Sequence, residues 1–156
     1  MRTAQAASAS RSFPSLQLLQ ESFTPRWAAA DPVAQHQLQN RIAIHATQGN
    51  TITYSDLVSG IPFNILDDRP GYTIDVHAWQ DLDRAIIGDF LGALSIESYE
   101  RHCFLISALV VSKESQTPSE NFMRWLAYAY DSDPLEATVI WARHRDRAVD
   151  HFQQGA

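Results

Sequence analysis

The sequence predicts a mainly helical α+β fold: a helical body that carries one small β-hairpin or wing. Three observations predict it. Apolar residues recur at three- and four-residue spacing in several separate stretches. One run, Phe104-Leu105-Ile106-Ser107-Ala108-Leu109-Val110-Val111, is strongly β-prone and has no breaker. Capping residues and Pro/Gly clusters punctuate the rest. The chain has 156 residues, 45% hydrophobic and 19% charged. That length and composition suit one globular domain over 13–156, with a flexible N-terminus over 1–12 and an arm over 13–30.

The elements follow in order. Residues 13–24 predict a short helix with Leu16, Leu19 and Phe23 on one side, ended by Pro25. Asp31-Pro32 is a helix start, with Asp as N-cap and Pro at the first helical position. Val33, Leu38, Ile42 and Ile44 give that helix its stripe, and Gly49-Asn50 stops it. Thr51-Ile52-Thr53 suits a brief β-bridge, and Thr53 then caps a short helix that Gly60 closes and Pro62 forbids to continue. Asp67-Asp68-Arg69-Pro70-Gly71 is an exposed turn. A longer helix is expected from about 76 to 93, with Trp79, Leu82, Ile86, Phe90 and Leu94 inward. Ser95 is expected to cap a second helical piece before the strand at 104–111. Residues 112–118 read as a polar turn, Ser119 as the cap of a helix to Tyr130, and Asp133-Pro134 as a fresh start. Phe122, Trp125, Leu126 and Ala129 line one of these last two helices, and Leu135, Val139, Ala142, Val149 and Phe152 the other. A winged-helix-like arrangement fits this order, with the 104–111 strand and the 112–118 turn as the wing.

Charge is distributed unevenly. The net is −6, and residues 61–100 alone carry eight acids against Arg69 and Arg84. A strongly basic nucleic-acid coat protein is excluded. The exposed acids Asp67, Asp68, Asp81, Asp83 and Asp89 are therefore expected to form an acidic face for a protein partner. The alternative is nucleic-acid binding through Lys113 in the wing and Arg143, Arg145 and Arg147 on the last helix. Trp27, beside Arg26, is expected to be the exposed tryptophan.

Chemistry-bearing residues give little else. With one cysteine, Cys103, an internal disulfide and a multi-cysteine zinc site are excluded. Cys103 and His102 are neighbours on a helix and do not face each other, so Cys103 is expected as a small core residue. A small enzyme would need a site around His102, Cys103 and the acidic loop. His144 and His151 are seven apart, about 10 Å along a helix, too far for one metal with bonds of about 2 Å. His36, His45 and His77 show no ligand spacing. No cofactor or metal is implied. No stretch matches a signal peptide or a membrane span, so a cytoplasmic protein without a membrane partner is expected.

Some motifs carry a resemblance. Ile52-Thr53-Tyr54-Ser55-Asp56-Leu57 looks like a T-Y-x-D-L helix entry, and Phe90-Leu91-Gly92-Ala93-Leu94 like a characteristic helix end. The run 104–113, with Pro118 and Phe122, is similar to L-S-A-L-V-V-x-K…P-x-x-x-F. In that order, over about residues 38–126, the chain resembles small bacterial winged-helix-like domains of unknown function, found alone or beside restriction-type nuclease modules. It departs from them at Ser119-Glu120-Asn121, where glycines are expected. The acidic segment makes a non-enzymatic protein-interaction module the expected function, and the resemblance adds only the context of an accessory factor of a bacterial defence or mobile-element system. The T-Y-x-D-L entry also resembles the DNA-binding half of alkyltransferases, whose acceptor is Pro-Cys-His-Arg. Here the order is Arg101-His102-Cys103-Phe104, and alkyl transfer is rejected.

Overall fold

The computed structural model describes residues 14–155. The flexible segment expected over 1–12 lies outside them. The elements are α1 (Leu16–Ser22), a 3-10 turn (Ala28–Ala30), α2 (Pro32–Thr47), β1 (Ile52–Thr53), α3 (Tyr54–Val58), α4 (Asp81–His102), a second 3-10 turn (Ile106–Leu109), β2 (Val110–Val111), α5 (Glu120–Tyr130) and α6 (Pro134–Gln154). The fold is mainly helical with a small two-stranded sheet.

Helix starts follow the capping chemistry of the sequence. Asp31 accepts from Ala34 N, Thr53 from Asp56 N, Ser119 from Phe122 N and Asp133 from Glu136 N. Gly49 and Gly60 take positive φ where α2 and α3 end. Ser95 is not a cap. Residues 81–102 form one unbroken helix, which starts from a capping box between Gln80 and Asp83.

The β-element differs most from expectation. β1 and β2 pair in parallel, Ile52 with Val110 and Thr53 with Val111, so they are not a hairpin. A parallel pair needs a long crossover, here α3, the following loop and α4. The 104–111 run is central, as its composition implies, and all eight residues are buried. Half of it, Ile106–Leu109, is a 3-10 turn, and only Val110–Val111 is strand. Side chains from two helices take its backbone groups, replacing a sheet ladder. Ser95 Oγ accepts from Ser107 N and Ser98 Oγ from Ile106 N, both at 3.0 Å. Ser98 Oγ donates to Phe104 O (2.7 Å), and Trp141 Nε1 donates to Ala108 O (2.9 Å). Leu105 N donates to His144 Nδ1 (3.0 Å).

The run also separates two apolar clusters. Phe104, Ile106, Leu109 and Val110 face a cluster with α2, α3 and the first half of α4. Leu105, Ala108 and Val111 face a cluster with Leu19, α5 and the first half of α6. The stripes of two helices are rotated from their expected positions. On α2 the core residues are Ala34, Leu38, Ile42 and Ala46, while Val33 and Ile44 are exposed. On α6 they are Ala137, Ile140, Trp141, His144 and Ala148, while Leu135 and Val139 are 79% and 51% exposed. Small alanines let α2 and α6 approach their neighbours closely, and the larger Val33, Ile44, Leu135 and Val139 are left on other faces.

Candidate functional site

The acidic residues divide into two groups. Asp67 and Asp68 are exposed in a turn whose residues 67–71 are all exposed. Neither has a partner among the described residues. Asp81, the first residue of α4, is exposed and pairs with Arg84 at 3.3 Å. Asp83 and Asp89 do not belong to this face, being 1% and 7% exposed. A buried carboxylate needs donors, and both have them. Asp83 accepts from Tyr72 Oη (2.5 Å) and Gln80 N (2.9 Å). Asp89 accepts from three successive backbone amides: Arg26, Trp27 (2.9 Å) and Ala28 (2.8 Å). It clamps the N-terminal arm against α4, where Phe23 packs onto the bare face of Gly92; a Cβ there would lie 2.3 Å from the ring. Asp31 is a third such carboxylate, accepting from Ala34 N and, across the fold, from Asn64 N (2.8 Å).

The acidic turn has a fixed base. Phe63 and Tyr72 form an antiparallel bridge with N–H···O bonds of 2.7 and 2.9 Å. The Tyr72–Asp83 bond then ties this base to the first turn of α4, so the turn and Asp81 belong to the same end of that helix. The Asp83 carboxylate, followed by burial, raises the Tyr72 phenol above its ordinary value and keeps it a donor.

The basic candidates are partly engaged. Lys113 and Arg143 are exposed. Arg145 pairs with Asp146 (3.0 Å) and lies over the Trp141 ring at 5.0 Å. Arg147 donates to the carbonyl of Cys103 (3.3 Å). Trp27 is half-buried against the core, with the Arg26 guanidinium 4.5 Å over its ring.

Cys103 is not a core residue. It is exposed and ends α4 in the left-handed conformation, with φ 62°. The ring of His102 meets His151 at 4.0 Å between centroids and Phe104 at 5.8 Å. Among the described residues, no group of three or more His, Cys, Asp or Glu is arranged to hold a metal ion. No helix there is long and apolar enough to cross a membrane.

Sequence reasoning missed the role of His144. It is 4% exposed, and its ring nitrogens have different partners. Nδ1 accepts from Leu105 N, so the ring proton lies on Nε2, which donates to Tyr130 Oη at 2.7 Å. Burial, then the nearby charge of Arg147, hold its pKa down at about 4. Burial also pushes the Tyr99 phenol up to about 12 and raises Tyr130. Tyr99 Oη donates to Pro14 O (2.5 Å). All three groups stay neutral near pH 7 and serve as fixed hydrogen-bonding posts.

In comparisons with known proteins, the chain matches no family model, no curated protein and no solved structure.

Proposed function

We propose that this chain is a non-enzymatic protein-interaction module. It engages a basic protein partner through the acidic turn at Asp67 and Asp68, with Asp81 at the same end of α4. The observation that carries this reading is the division of the acids. Asp83 and Asp89 are engaged inside by the Tyr72 hydroxyl and by backbone amides, whereas Asp67 and Asp68 stand outside on an anchored turn, without a partner among the described residues. Exposed carboxylates on a fixed base suit recognition of Arg or Lys, speeding encounter and giving a salt-sensitive complex. The resemblance to bacterial domains beside restriction-type nuclease modules adds the context of a defence or mobile-element accessory factor.

The test is affinity capture with the wild-type chain and an Asp67→Lys/Asp68→Lys variant, at low and moderate salt. The expected result is a partner retained by the wild type, weakened by salt and lost with the variant. A set of captured proteins indifferent to charge reversal would sink the reading.

Direct DNA binding by a winged-helix-like body is the second reading. What favours it is Lys113, exposed on a turn closed by Ser112 N→Thr117 O (2.8 Å) and Gln116 N→Ser112 O (2.9 Å). Arg143 would supply a further phosphate contact. Duplex affinity at about 50 mM salt, where phosphate contacts are strong, decides it. Binding weakened by Lys113→Glu and Arg143→Glu would favour DNA; absence of binding would remove the idea.

A further inference from the structure

We propose that His102 and His151 form a two-histidine binding site for a borderline divalent transition-metal ion such as Zn²⁺, with water completing its coordination. The two residues are distant in sequence. His102 is the last residue of α4 and His151 lies in the last turn of α6. The fold brings their rings to 4.0 Å between centroids, inclined at 37°. Both are reachable from solvent, His102 exposed and His151 half-buried.

The rings are backed by an aromatic floor. His102 stacks on Phe104 (5.8 Å, 15°), and His151 packs on Phe104 (5.4 Å) and Phe152 (5.1 Å). These contacts occupy ring faces and edges, while no hydrogen-bonding group among the described residues takes a nitrogen of either ring. Imidazole nitrogen without a carboxylate is a donor set for Zn²⁺, Ni²⁺ or Cu²⁺ and not for Mg²⁺ or Ca²⁺. Nearby charges come from Arg101, which pairs with Glu97 at 3.7 Å, from Asp150, and from Arg147 at the Cys103 carbonyl. Two protein ligands beside arginines make an exchangeable site rather than a permanent structural one. A bound ion would staple the end of α4 to the end of α6.

The test uses the full chain and Zn²⁺ itself at about pH 7.5. At free Zn²⁺ about 100 times the Kd, the folded-to-unfolded ratio rises about 100-fold, read as a rise in Tm. The unfolded chain also binds Zn²⁺, so equilibrium dialysis of the native protein is the second measurement. It is expected to count one bound ion in the wild type and to lose it in His102→Gln and in His151→Gln. His36→Gln, on α2, is expected to leave it in place, as is Cys103→Ser. Mg²⁺ is expected to do nothing. No native-state Zn²⁺ binding, binding that survives both histidine substitutions, or binding lost with Cys103→Ser would each overturn the proposal.

Discussion

Asp31, Asp83 and Asp89 hold loops in place with carboxylates, whereas Ser95, Ser98, Trp141 and His144 hold the 104–111 segment with neutral groups. The first set faces backbone amides at the ends of elements: the arm before α2, the entry to α4 and the chain at Asn64. The second set faces backbone groups in the middle of the core, between the two apolar clusters. Both sets are buried, and the difference is one of donors and acceptors. A buried carboxylate can only accept, and it is satisfied where two or three donors converge on it. A segment apolar on both sides is better served by hydroxyl, indole and imidazole, which carry no charge to desolvate.

Substitutions sharpen this comparison. Asp89→Ala should have the largest effect, because three amides lose one shared acceptor. The expected loss is about 3–5 kcal/mol, summed from the cost of each unsatisfied group. Chemical denaturation measures it, and Asp89→Asn should recover part of the loss. An alanine variant as stable as the wild type would break the claim that this carboxylate clamps the arm.

His144→Phe comes next, at about 2–4 kcal/mol, since it strands Leu105 N–H and the Tyr130 hydroxyl. It also separates the two sets by pH. The folded pKa of about 4 lies below the ordinary value of 6.5, so the unfolded chain takes the proton first. Stability should therefore fall as pH drops from about 6.5 towards 4 and level off below. The full loss through this group is about 3 kcal/mol. The phenylalanine variant should lose that component of the acid slope. Identical slopes in variant and wild type would show that His144 is not the group that responds.

Ser98→Ala should cost about 1–3 kcal/mol, since its hydroxyl serves both Phe104 O and Ile106 N. The smallest effect belongs to the outer acids. Asp67→Lys/Asp68→Lys should change unfolding free energy by no more than about 0.5 kcal/mol, as surface changes do. A larger loss would mean that the turn is structural and not an interaction surface.

Where local chemistry decides, the sequence was readable. The caps at Asp31, Thr53, Ser119 and Asp133 and the stops at Gly49 and Gly60 act within a few residues, and all six positions are as their residue types imply. The 104–111 run was legible as buried but not as a 3-10 turn, because its conformation depends on His144 and Trp141, more than thirty residues away. The same long reach hid the burial of Asp89, held by the arm more than sixty residues before it, while Asp83 is covered by the nearer Tyr72; the type and spacing of both are those of a solvated helix face. The rotated stripe of α6 has another cause. Leu135 and Val139 mimic an inner face, and the true one is built from Ala137, Ile140, Trp141, His144 and Ala148. The exposure of Asp67 and Asp68 in the turn and of Asp81 on α4 was legible. The His102–His151 pair was not, because it exists only once two helix ends meet.

The parallel pairing of β1 with β2 bears on how the chain reaches its native state. Neither strand is long enough to stand alone, and nothing local brings Ile52 to Val110. The ladder can close only after α4 has crossed over, which places it among the late, high-contact-order events of folding. A nascent chain that ends before β2 exposes the apolar side of Ile52 with no strand to meet it. A chain truncated after α4 should accordingly be prone to aggregate, because the first third of the protein waits on residues near its last third for its closing hydrogen bonds.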